Sequence, residues 1–350
     1  MWQAEIQKLQ ALSDPISSAA LPLLNGLARR NLVRSGVAQR EVHIGGVSVN
    51  YYYKAPEPAA QAMPATMPIL LLHGLGDSAI TWASIIAPLA RDHAVYAVDL
   101  PGYGLSSLPA GCSFSTLEQM RDMLVAFMRD VLGQPALVVG NSLGGWLAVK
   151  LAWATPTMVR GIMLLDAGGA PLEGRDSWAP FLEAIAVRDL KTARLVFRQM
   201  FGAIPPPLLY LGQRSLQELF QRQVVREFVA TVQEDEFVHP ADLRQLPVPA
   251  AIIWGLSDRF LPQGSLEFFR EHLPNAELLL LKHCGHLPQR ERPRATVRFI
   301  RQFVAQLDAS SDGQTAASPA EAGPAEARSP NYTRTDWSQS RNAATTLGSQ

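Results

Sequence analysis

Hydrophobic positions along this chain follow three rhythms. From Arg40 the rhythm is period two: Val42, Ile44, Val47, Val49 and Tyr51 alternate with polar or small residues around Gly45-Gly46, which predicts a β-hairpin. Short apolar runs then recur at 69–72, 94–98, 136–139, 162–165, 250–254 and 277–281. Such runs are the signature of strands buried on both faces of a parallel sheet. Between them the spacing turns helical, with Trp82, Ile85, Ile86 and Leu89 in one stretch. A Ser115/Glu118 capping box then opens Leu117, Met120, Leu124, Phe127 and Val131, and Val297, Ile300, Phe303, Val304 and Leu307 close the series. Strands alternating with helices predict an α/β fold: a mostly parallel central sheet flanked by helices, with ligands beyond the carboxyl ends of the strands.

Between Pro171 and Leu246 the strand rhythm stops. Phe181, Leu182 and Ile185, then Val196, Met200 and Phe201, then Leu216, Leu219, Phe220, Val224 and Phe228 make three helical segments, two of them separated by Pro205-Pro206-Pro207. This predicts a helical cap at 171–246 inserted between core segments 40–170 and 247–308. Residues 1–39 read as an amphipathic arm, with Trp2, Ile6 and Leu9 followed after Asp14-Pro15 by Ile16, Ala20, Leu23, Leu24 and Leu27. The arm is expected to pack on the domain; its second reading is a helix lying in a membrane surface. Polar interruptions leave no apolar run of the roughly 18 residues needed to cross a bilayer. Residues 309–350, nearly devoid of aliphatic side chains, are expected to be disordered.

Charge narrows the partners. Thirty-one basic and thirty-one acidic residues cancel, so nothing points to nucleic acid. Two cysteines, Cys112 and Cys284, are too few for a disulfide framework, and a cytoplasmic, reducing setting is the expectation.

The candidate chemistry sits at strand ends. In Gly140-Asn141-Ser142-Leu143-Gly144 an apolar run ends and helix-forming residues begin at once. In so tight a strand-turn-helix the residues two before and two after the serine nearly touch, so both must be glycine. The serine takes a sparsely populated backbone conformation, and its hydroxyl stands at a helix N-terminus. Other strands end in His73-Gly74-Leu75-Gly76, Asp99-Leu100-Pro101-Gly102, Asp166-Ala167-Gly168-Gly169, Gly255-Leu256-Ser257-Asp258 and Cys284-Gly285-His286.

The segments HGLGDS, DLPGYGLSS, GNSLGG, WGLSDRFLP and CGHLPQRERP, in this order, resemble the α/β-hydrolase superfamily with an inserted lid, over about residues 40 to 307. The resemblance implies Ser142 as nucleophile, Asp258 as triad acid and His286 as general base, in the order expected of that fold. It further implies an oxyanion hole from the backbone N–H groups of Leu75 and Leu143. Gly74, Gly76 and Asn141 are the candidate substrate-contacting neighbours. Asp166 is the rival acid, since some branches of the superfamily use that position.

A serine hydroxyl needs a base to take its proton, and that base needs a carboxylate to fix its tautomer. Ser142 puts the epoxide-hydrolase and dehalogenase branches aside, because they need a carboxylate nucleophile. GNSLGG and LLDAGGAP are similar to the bacterial lipase and monoacylglycerol-lipase-like branch, which implies an esterase acting on an apolar acyl ester without a cofactor. Alternatives are a carbon–carbon bond hydrolase of ring-fission dienones, an acyltransferase or perhydrolase, and a catalytically silent binding protein. His283, Cys284 and His286 look like metal ligands only superficially, having no acidic or histidine partner nearby in sequence, and no metal is expected. His73 is expected to be structural; Asp77 and Trp82 either border the entrance or cap and pack the next helix.

Overall fold

The computed structural model describes residues 23–57, 66–171 and 181–315. The described residues up to Asp308 form one compact unit.

Eight strands make one sheet in the order β1-β2-β4-β3-β5-β6-β7-β8. β1 (Ala38–Ile44) and β2 (Val47–Lys54) are the hairpin, closed with Ile44 opposite Val47. Gly45 and Gly46 both take positive φ, which glycine alone adopts without a side-chain penalty. β2 pairs antiparallel with β4 (Val95–Val98). The rest is parallel: β3 (Ile69–Leu72), β5 (Ala136–Asn141), β6 (Val159–Leu165), β7 (Ala250–Gly255) and β8 (Glu277–Leu281). All these carboxyl ends therefore point the same way, and the loops that follow them share one rim.

Alternation along the parallel strands feeds two cores. Leu70, Leu72 and Val138 pack with Met120, Leu124, Phe127 and Leu147 on one face of the sheet. On the other, Ile69, Leu71, Leu137 and Val139 pack with Trp82, Ile85, Leu89, Ile300 and Phe303. Each such side chain, fully withdrawn from water, contributes about 1.5–3 kcal/mol. Trp82 is fully buried and packs the helix Ala83–Leu89 rather than bordering an entrance.

Several sequence expectations shift. The capping box of helix Leu117–Phe127 is Thr116 with Gln119, not Ser115 with Glu118: Thr116 Oγ1 accepts from Gln119 N at 3.2 Å, and Gln119 Oε1 accepts from Thr116 N at 3.0 Å. Buried Leu117 sets this phase, Ser115 is buried, and Glu118 is left to pair with Arg121 at 3.0 Å. The third helical segment between β6 and β7 is two helices, Pro206–Gln221 and Gln223–Thr231. Arg222 between them is extended, with ψ 137°, and its Nη2 donates to Gly102 O at 3.0 Å, tying the break to the loop after β4.

The earlier helix Leu190–Met200 is capped by Asp189, whose carboxylate accepts from Thr192 N at 2.7 Å. The closing helix Pro293–Thr315 runs past Ser310, where disorder was expected, because each added helical residue gains a hydrogen bond once the helix exists. Of the arm, residues 1–22 lie outside the described residues, as does the tail beyond Thr315. Residues 23–34 are helical, with Leu32 buried and Leu23, Leu24 and Leu27 exposed. Among the described residues no helix is long and apolar enough to cross a membrane.

Candidate active site

The turn after β5 is built from what is missing. A Cβ on Gly140 would run into the backbone of Gly144, and one on Gly144 would run into the carbonyl of Leu72 on the neighbouring strand. A Cβ on Gly145 would stand 2.7 Å from that of Ala167. Between these glycines Ser142 holds φ 54° and ψ −118°, at the N-cap of helix Leu143–Ala154. A non-glycine residue there stores on the order of 1–3 kcal/mol of strain. Surrounding bonds hold it: Ser142 N donates to Leu165 O at 3.0 Å, while Gly145 N and Gly168 N donate to Ser142 O at 2.9 and 3.0 Å.

The loops after β7 and β8 bring an acid and an imidazole together. His286 Nδ1 lies 2.8 Å from Asp258 Oδ2, with both side chains nearly inaccessible to water. Asp258 Oδ1 accepts from Phe260 N at 2.8 Å, so both carboxylate oxygens are engaged. Since Asp258 is an acceptor, Nδ1 carries the proton and Nε2 is left with its lone pair. The Phe260 ring lies 4.7 Å from the imidazole and fixes its plane. Of the two histidines in this loop, His283 is exposed while His286 is buried.

Asn141 has a different role from the substrate contact expected of it. Its Nδ2 donates to Leu165 O at 3.0 Å and His286 O at 2.9 Å, while its Oδ1 accepts from Gln289 Nε2 at 3.2 Å. The side chain is spent on binding the serine turn to the histidine loop, and it is buried. Gln289 in turn reaches Thr81 Oγ1 at 3.2 Å. Nothing in periodicity signals this strut; the only hint is that Gln289 lies inside the CGHLPQ motif.

Leu75 and Leu143 flank Ser142 in a single cavity, and among the described residues neither of their backbone N–H groups meets an acceptor. Gly74 packs against the nucleophile: a Cβ there would stand 3.0 Å from that of Ser142. Gly76, at φ 74°, lies beneath Leu219 and leaves no room for a side chain. His73 is a latch between loops, with Nδ1 donating to Gly74 O at 2.8 Å and Nε2 accepting from Leu100 N at 3.0 Å. Asp77 caps its own turn through Ser78 N at 2.8 Å and lines an adjoining groove.

Asp166, the rival acid, is completely buried with φ 40°. Its Oδ1 accepts from Gly255 N at 3.0 Å, and among the described residues no group donates to its Oδ2. Burial, and then the neighbouring charge of Asp258, push its carboxyl well above the usual carboxylate range. Burial likewise raises the Cys284 thiol and Glu291, whose carboxylate accepts from Gly202 N at 2.8 Å and Gly285 N at 2.9 Å.

Donor atoms of Asp166, Asp258 and His286 lie within 4.8 Å of one another, a grouping that invites a metal. The direct 2.8 Å contact between His286 and Asp258 is a hydrogen bond, however. Zinc bonds of about 2.0–2.2 Å would hold two tetrahedral ligands farther apart than that.

The helices between β6 and β7 supply the opposite wall. Phe181, Phe228 and Phe237, with Trp146, line a half-open, almost wholly apolar cavity of about 80 Å³ that borders Ser142. Leu75 also walls a wider groove of about 430 Å³ that carries Arg29, Arg222 and Arg290 beside Asp77 and Glu218. The end of helix Leu190–Met200 is stitched to the loops after β8 and β7, with His286 N donating to Met200 O at 2.7 Å and Arg259 N to Gln199 O at 3.1 Å.

Comparison with known proteins agrees with this architecture. Residues 69–299 match the sequence profile of the alpha/beta hydrolase family. The chain is 28% identical over 258 residues to the pimeloyl-[acyl-carrier protein] methyl ester esterase of Nitrosomonas europaea, covering 69% of this chain and 94% of that protein. It is 27% identical over 285 residues to the 2-hydroxymuconate semialdehyde hydrolase of Pseudomonas sp. strain CF600, covering 77% and 95%. Among solved structures it superposes on a bacterial membrane phospholipase A with TM-score 0.67 at 23% identity, covering 88% of this chain and 98% of that one. The 2-hydroxy-6-oxo-6-phenylhexa-2,4-dienoate hydrolase of Rhodococcus sp. strain RHA1 gives 0.64 at 24%, covering 76% and 98%. These two likenesses speak to the fold. With the profile spanning the sheet from β3 onward and every strand end in place, the chain belongs to the α/β-hydrolase family.

Proposed function

We propose that this protein is a serine hydrolase that cleaves a carboxylic ester through an acyl-enzyme. The observation that carries the reading is the buried His286–Asp258 hydrogen bond, tied through the His286 carbonyl to Asn141, the residue preceding Ser142. In this mechanism His286 Nε2 takes the proton of Ser142 Oγ as the oxygen attacks the ester carbonyl. Asp258 holds the Nδ1–H tautomer and stabilises the imidazolium that forms. The N–H groups of Leu75 and Leu143 receive the developing oxyanion, each such donor being worth roughly 10²–10³ in rate. His286 then protonates the departing alcohol, and water attacks the acyl-enzyme by the reverse path.

Residues 171–246 act as the cap of this site. By the same measure of volume a water needs at least about 10–15 Å³, so an 80 Å³ cavity takes a short acyl group. The larger alcohol portion then lies in the groove on the other side of Leu75. A carbon–carbon bond hydrolase acting on ring-fission dienones is the second reading, favoured by the 27% identity to a 2-hydroxymuconate semialdehyde hydrolase and by the three arginines on the groove, which suit a carboxylate.

A fluorophosphonate probe should label the wild type and not Ser142→Ala; equal labelling of both would remove the nucleophile. On p-nitrophenyl esters, turnover should peak at short acyl chains. Cleavage of a dienone with no ester cleaved would select the second reading.

A further inference from the structure

We propose that Asp166 is a neutral carboxylic acid that donates its proton to the Asp258 carboxylate and thereby positions the acid partner of His286. The inference rests on the serine-hydrolase reading for its kinetic consequence, but not for its protonation state. Three observations lead to it. Asp166 is completely enclosed, one of its oxygens takes a hydrogen bond from Gly255 N–H, and the other finds no donor among the described residues. The Asp258 carboxylate, itself an acceptor, is a side-chain hydrogen-bond neighbour of Asp166, in a cluster whose ligand atoms lie within 4.8 Å of one another.

Two ionised carboxylates cannot share so small a dry space, and one proton between them turns the repulsion into a hydrogen bond. Asp258 is the ionised member, because it faces the Nδ1 proton of His286 and two backbone N–H groups. Asp166 has one backbone donor and keeps the proton. Of the other titratable groups near it, Glu291 adds negative charge and acts in the same direction, and the neutral Cys284 thiol does not oppose it. A buried acid held neutral in this way is a donor at neutral pH.

Asp166 touches neither substrate nor reacting atoms; it acts through Asp258. The hydrogen bond it gives removes part of the Asp258 charge that would otherwise be directed at the imidazolium. Without it, His286 becomes harder to deprotonate, and the acid limb of kcat/KM moves to higher pH.

The test uses the full chain. Infrared difference spectra of wild type against Asp166→Asn at pH 7, in water and in heavy water, should contain the carbonyl stretch of a protonated carboxylic acid in the wild type only. Asp166→Leu should lose about 10- to 100-fold in kcat, as expected for one hydrogen bond to a charged group, with KM nearly unchanged and the acid limb raised. Asp166→Asn, which restores a donor of the same shape, should recover kcat to within about threefold and return the limb to its wild-type position. Absence of the protonated-acid band, or an asparagine variant as impaired as the leucine one, overturns the proposal. If the leucine variant does not fold, the spectrum and the asparagine variant still decide. Retained activity in Ser142→Ala would sink the hydrolase reading while leaving the infrared assignment standing.

Discussion

The two walls of the site are made by different means. On the sheet side, main chain meets main chain: Gly140 against Gly144, Gly144 against Leu72, and Gly255 against Cys284 and Gly285, at separations no side chain could enter. On the other side, between β6 and β7, helices meet through side chains, with Leu195, Leu208 and Tyr210 exposed and breaks at Pro205 and Arg222. Positions on the first wall are fixed by backbone contact, whereas the second is shaped by side chains.

Substitutions should separate the two walls, and the largest effect belongs to the sheet side. Asp258→Asn should lower kcat by about 10³–10⁴-fold with little change in melting temperature, because the tautomer of His286 is lost while the packing is kept. Activity within tenfold of wild type would mean that another group orients the imidazole. Gly144→Ala should cost at least about 1–3 kcal/mol of stability by overpacking against the Leu72 carbonyl, read as a lower denaturant midpoint; an unchanged midpoint would show that the turn relaxes.

On the helical wall, Phe228→Ala should shift the preferred acyl length upward, changing the ratio of kcat/KM for long over short esters by roughly 10-fold, the worth of one or two methylenes in an apolar pocket. An unchanged ratio would place the acyl chain elsewhere.

The smallest effect concerns pH. The folded state holds a proton on Asp166 that the unfolded chain releases near the ordinary aspartate range, so this residue's contribution is full in acid and is lost as pH rises through its elevated value. Asp166→Asn removes that loss. Its melting temperature relative to wild type should therefore increase from pH 5 to pH 8, and a constant difference would mean that Asp166 titrates alike in both states.

The sheet was legible because each strand announces itself by local pattern, and the glycines around Ser142 are demanded by contacts within a few residues. Ser142, Asp258 and His286 stood out as candidates because each follows a strand within a recognisable motif, and the structure brings Asp258 and His286 into contact. The strut formed by Asn141 and Gln289 could not be read in advance, although Asn141 was a candidate for another role, since its partners lie 24 to 208 positions away and no periodicity records them. The capping box slipped by one residue because Ser115/Glu118 and Thr116/Gln119 both satisfy the pattern, and only the burial of Leu117 chooses between them. The break at Arg222 was hidden for a similar reason: its cause is a carbonyl in another loop, Gly102 O.

The stitch at Met200–Gly202 decides which edge of these helices is held to the backbone of the site. Pulling that corner away would cost the bonds from His286 N, Arg259 N and Gly202 N, and would drag the imidazole with it. That corner is therefore the backbone-pinned edge of these helices, whereas near Arg222 they are tied by side chains, through Arg222 Nη2 to Gly102 O and through Ser113 Oγ to Glu227.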